Sequence, residues 1–161
     1  MPKYRLLTDE ELNSFEKEFV QYLVVNGIDA DSWEKLKVDE VDKANEIIDL
    51  FSDVIFENLM RKTKHILRLQ GQFIFSFFYD EEQANLLIAE YGGKEQIGFK
   101  DLEELKNFVE ENQTLFSVSL QTKSYEGARE LEVFKLLDNG CLVDRIGIYD
   151  LMHTILIGQS N

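Results

Sequence analysis

The chain has 161 residues, with Lys+Arg 17 against Asp+Glu 31 and a formal net charge of −14, and 44% of it is hydrophobic. That length fits one ordinary domain, and the apolar content disfavours intrinsic disorder. The acidic excess opposes nucleic-acid phosphates and anionic membrane surfaces, so neither is expected as a partner.

In chain order, Thr8 and Glu11 form a capping-box pattern that starts a helix carrying Leu12, Phe15, Phe19, Tyr22 and Leu23 at helical spacing. Gly27 stops it. Asp31 and Glu34 repeat the cap spacing and start a short helix around Trp33 and Leu36. A long helix is expected from about Asp39 to Met60, with Val41, Ala44, Ile48, Phe51, Ile55 and Leu59 as its apolar stripe. The period then changes. KHILRLQ (64–70) and QFIFSFFY (72–79), separated by Gly71, read as two strands. The second is apolar on both faces, with Phe73, Phe75 and Phe77 on one and Ile74 and Phe78 on the other. Such a strand is central and covered twice, or it faces a partner.

Asp80 and Gln83 predict a third long helix ending at Tyr91-Gly92, and Asp101 with Glu104 a fourth. LFSVSLQTK (115–123) alternates and reads as a strand. GARELEVFKLLDNG (127–140) suits a helix stopped by Gly140, which is favoured, or a hairpin turning at Asn139-Gly140. A last helix is expected over 148–157. The expected class is therefore α+β: a single domain over 1–161, N-terminal helices first. A small antiparallel or mixed sheet of about three to five strands follows, with interleaved helices.

Residues 3–36, KYRLLTDEELNSFEKEFVQYLVVNGIDADSWEKL, resemble the opening of a family of small, uncharacterised bacterial proteins. NGCLVDRIGIYDLM (139–152) is similar to that family's C-terminal segment. The family carries no assigned activity, so the resemblance implies no functional residue.

Constellations that would carry chemistry are sparse. The N-terminus turns acidic before an apolar signal core forms, and no apolar run approaches a membrane span, so a cytoplasmic location is expected. Cys141 sits among apolar residues without a cationic neighbour in sequence and reads as an inert buried thiol. Gly92-Gly93 with Gly98 lacks the Lys-Ser/Thr of a phosphate loop and reads as a turn. Asp29, Asp31 and Glu40 fall at calcium-loop positions, but Trp33 and Glu34 stand where a ligand and a glycine are needed. No metal and no cofactor is expected.

Arg61, Lys62, Lys64 and Arg68 form a basic island free of acids, read as neutralising neighbouring acidic surface. Asp42, Glu46, Asp49, Asp53 and Glu57 step by four or three residues and stack along one face of the long helix. They are the candidate docking face for a basic protein partner. Asp42 and Glu46 are expected to be unpaired. Phe73, Phe75 and Phe77 are the candidate surface for self-association into a homodimer. The favoured reading is a non-enzymatic binding or protein-interaction module. The alternative is a small enzyme with a site assembled from distant residues, using His65 or His153 with a carboxylate as its acid–base group.

Overall fold

The computed structural model describes residues 2–159. The chain forms two compact units, residues 1–59 and residues 60–161.

In the first unit, α1 (Asp9–Ser14) starts on the expected capping box: Thr8 Oγ1 accepts from Glu11 N at 3.2 Å, and Thr8 N donates to Glu11 Oε2 at 2.9 Å. The expected single helix breaks at Phe15, whose φ of −103° and ψ of 24° leave the helical range, and α2 (Glu16–Val25) resumes the stripe. Gly27, at φ +76°, ends it as expected. The cap of α3 (Ala30–Asp39) lies two residues earlier than the spacing suggested: Asp29, not Asp31, accepts from Ser32 N at 2.7 Å. The chain leaves the Gly27 turn extended at Asp29, and an N-cap needs that extended backbone. α4 (Val41–Lys62) follows. An aromatic cluster forms this unit's core: Phe19 meets Trp33 edge-on at 5.2 Å and Phe51 at 4.9 Å, and Tyr22 lies 5.4 Å from Phe51.

The second unit is built on a five-stranded antiparallel sheet in the order β4-β3-β2-β1-β5. Its strands are β1 (His65–Gln70), β2 (Phe73–Tyr79), β3 (Gln83–Tyr91), β4 (Phe116–Ser124) and β5 (Leu142–Val143). The fold class is α+β, as expected. Gly71, at φ +60°, opens the tight β1–β2 turn that pairs Gln70 with Phe73.

β3 overturns the third-helix expectation. Asp80 Oδ1 accepts from Glu82 N at 2.8 Å and Gln83 N at 2.6 Å, which closes a hairpin turn instead of capping a helix. The same local bonds serve both ends, so the spacing alone does not choose between them. β3 is paired on both sides, buried on the face of Leu87 and Ala89 and half-buried at Leu86 and Ile88 on the other, so both faces carry apolar residues and the alternation of a half-exposed strand is lost.

α5 (Leu102–Glu111), capped by Asp101, and α7 (Ile148–Gln159) build the core against one face of the sheet. Leu105, Val109, Ile148 and Met152 meet Leu67, Ile74, Leu87 and Ala89 there, all fully buried. Residues 127–140 resolve as a helix, α6 (Arg129–Asp138), stopped by Gly140 at φ +96°. Leu136 of α6 and Phe77, Tyr79, Ala84 and Leu86 of the opposite sheet face, with Gln121, Thr122 and Lys123 of β4, line a small cavity of about 300 Å³. No described helix is long and apolar enough to cross a membrane.

Candidate interaction surfaces

The acidic stripe divides into two halves. Asp53 and Glu57 are taken by the chain's own N-terminal segment. Lys3 N donates to Asp53 Oδ2 at 2.8 Å and Tyr4 N to Asp53 Oδ1 at 3.2 Å. The Lys3 ammonium lies 3.0 Å from Glu57 Oε2, which also accepts from the Tyr4 hydroxyl. The carboxylates of Asp42, Glu46 and Asp49 make no hydrogen bond or ion pair among the described residues, and Asp42 and Glu46 are exposed. Lys43, the nearest cation in sequence, turns to Glu40 at 3.7 Å and leaves them alone. Periodicity places these five carboxylates on one face. It does not show that the chain's start folds back over two of them.

The aromatic row on β2 shares its sheet face with Tyr79, as expected from alternation. Phe73 is 39% exposed and stacks on Phe75 at 6.1 Å, while Phe75 and Phe77 are half-buried. Phe78, on the other face, carries a different cluster. The His65 ring stacks on it at 4.7 Å and lies 5.4 Å from Tyr149, and His153 stacks on Tyr149 at 6.3 Å. Two histidines far apart in sequence thus meet on one tyrosine. The Tyr149 hydroxyl is pushed above its ordinary value by burial first, then by the charges of Asp150 and Asp80.

Cys141 is buried, and its thiol is raised above its ordinary value by desolvation, which outweighs the lowering effect of Arg68. That cation comes from β1, far from Cys141 in sequence. A mixed-charge cleft of about 630 Å³ lies at one end of the sheet, lined by Arg61, Lys64, Asp80, Glu81, Arg129 and Glu130 among others. Arg129 is spent on structure there: its guanidinium donates to the carbonyls of Met60, Thr63, Tyr79 and Asp80. Beside it Tyr79 and Tyr125 stack at 5.8 Å, and burial pushes both hydroxyls up to about 12.

A family profile matches residues 1–157. The chain belongs to DUF6495, a family of unknown function. No curated protein and no solved structure matches it. The match spans both segments whose resemblance the sequence suggested, and for a DUF6495 chain the residues themselves must carry any functional reading.

Proposed function

We propose that the chain is a non-enzymatic protein-interaction module of the bacterial cytoplasm, docking a basic segment of a partner protein on the open half of the α4 stripe. One observation carries this reading. Lys3 and Tyr4 already occupy the closed half, with an ammonium on Glu57 and two backbone N–H groups on Asp53. A lysine-bearing segment therefore fits this face, and Asp42, Glu46 and Asp49 offer the same chemistry further along the helix. The test uses a fluorescent Lys-Ala repeat peptide and anisotropy at physiological salt. Asp42→Asn/Glu46→Gln should weaken binding about tenfold. The charge-matched control Glu103→Gln/Glu110→Gln on α5 should not. Equal weakening by both pairs would reduce the effect to net charge and end the reading.

The convergence of His65 and His153 on Tyr149 favours a second reading, a small enzyme with a histidine acid–base group. It requires a small ligand at that cluster. A ligand-induced rise in melting temperature that His153→Ala abolishes would support it over the docking module.

A further inference from the structure

We propose that two copies of this chain pair through their β4 edges, antiparallel about a two-fold axis at Thr122, to make one continuous sheet. This goes beyond the stripe reading and does not depend on it. The two edges of the sheet are built differently. β5 is two residues long, the usual way of blunting an edge. β4 is nine residues long, and every residue from Ser119 to Ser124 is exposed.

The direction of its peptide groups can be read from one contact. The Gln159 amide closes on Val118: Val118 N donates to Gln159 Oε1 at 2.6 Å, and Gln159 Nε2 donates to Val118 O at 2.9 Å. A side chain thereby satisfies what a neighbouring strand would satisfy, so Val118 points its peptide groups away from β3. Alternation in an antiparallel ladder then points those of Leu120, Thr122 and Ser124 the same way. None of the three has a hydrogen-bond partner for them among the described residues. An unpaired row of this kind is a template for another strand.

Charge selects the occupant. Two copies at net −14 repel, and they can approach only where acids are missing. Residues 112–124 contain no Asp or Glu, and their one cation is Lys123. Lys123 does not guard the edge, because its ammonium is drawn 2.6 Å from Glu132 Oε1 on α6.

The free groups also set the register. With the axis at Thr122, Leu120 faces Ser124 of the second copy, and each facing pair exchanges both N–H···O bonds. Lys123 faces Gln121 of the second copy, so like charges are not opposed. An axis at Leu120 would set Val118 against the second copy's Thr122 and require Gln159 to leave.

The experiment is sedimentation of the full chain at micromolar concentration, with circular dichroism as the control for folding. A dimer is expected. Thr122→Pro, which removes an N–H that bonds to nothing among the described residues, should weaken it at least about tenfold. In a Cys141→Ala background, Thr122→Cys should cross-link on oxidation, since facing hydrogen-bonded residues lie ~5.5 Å apart, within disulfide reach. Ser119→Cys, exposed on the same strand but off the axis, should not. A wild-type monomer overturns the proposal, as does a Thr122→Cys variant that stays uncross-linked. A dimer dissolved by Phe75→Glu and unaffected by Thr122→Pro would place the interface on the aromatic row and overturn it equally.

Discussion

Asp144 is the side chain whose loss should cost the second unit most. It is 8% exposed, and its carboxylate fills the N-terminal end of α7. Oδ1 accepts from the N–H groups of Ile146, Gly147 and Ile148 at 3.1, 3.0 and 3.2 Å, and Oδ2 from Tyr149 N at 3.0 Å. Its own N–H donates to His65 O at 2.9 Å, fastening the start of α7 to β1. Removing an N-cap side chain costs about 0.5–2 kcal/mol. Each buried N–H left without a partner costs about 1–3 kcal/mol. Ile148 and Tyr149 are both buried, so Asp144→Ala combines the two penalties. The losses share one carboxylate and do not add in full, which gives roughly 3 kcal/mol. Asp144→Asn keeps the Oδ1 acceptor but sets an amide donor against Tyr149 N–H, for a loss of about 1–2 kcal/mol. At ~2–4 °C per kcal/mol for a chain of this size, Asp144→Ala should melt about 6–12 °C lower. Urea unfolding should show a lower midpoint at an unchanged slope. A change under about 0.5 kcal/mol for Asp144→Ala would show that α7 is held by packing alone and refute this account.

Two further perturbations follow from local geometry. Glu11 is held down to about 2 from an ordinary 4.5, first by the side-chain bonds from Arg5 at 2.8 and 2.9 Å and then by Thr8 N–H. Its stabilising contribution is therefore complete above the ordinary value and lost as the pH falls from 4.5 towards 2. Exposure keeps it small, and Glu11→Gln should flatten that part of a stability-against-pH curve. At Gly93 an added Cβ would collide with the ring of Tyr91, which is 5% exposed and packed 5.0 Å from Phe108 and 5.1 Å from Phe116. Gly93→Ala should cost ~1–3 kcal/mol in denaturant unfolding, and a Tyr91→Leu background should relieve most of that cost.

Elements whose signal is local are legible in the amino-acid sequence itself. The Thr8 box, the Gly27 stop, the Asp101 cap and the strand read over 115–123 depend on neighbours a few residues away, and all stand. β3 reads as a helix because its true identity depends on non-local pairing. Leu86, Leu87 and Ile88 are apolar without alternation, and only β2 and β4 on either side determine that they form a strand. Asp144 escapes a reading by spacing for a related reason. Its four donors follow it within five residues, but Gly147 breaks the cap spacing that would mark a helix start.

The surfaces follow the same division. Sequence periodicity places the five carboxylates of α4 on one face, because a helix face is a local property. Which of them stays open depends on a fold-back of about fifty residues, Lys3 to Asp53 and Glu57, that no spacing rule reports. The β4 edge is hidden more deeply, since a strand becomes an edge only when the whole sheet order is known. Composition still leaves a trace. In a chain this acidic, an acid-free stretch such as 112–124 is a place where a second copy meets little repulsion. The stripe behaves in the opposite sense: Asp42, Glu46 and Asp49 repel a second copy and attract a basic segment. Under the two proposals, the surfaces would discriminate between partners by charge sign. Added salt should separate the two proposals, weakening peptide capture at the stripe by screening while easing β4 pairing between two like-charged chains.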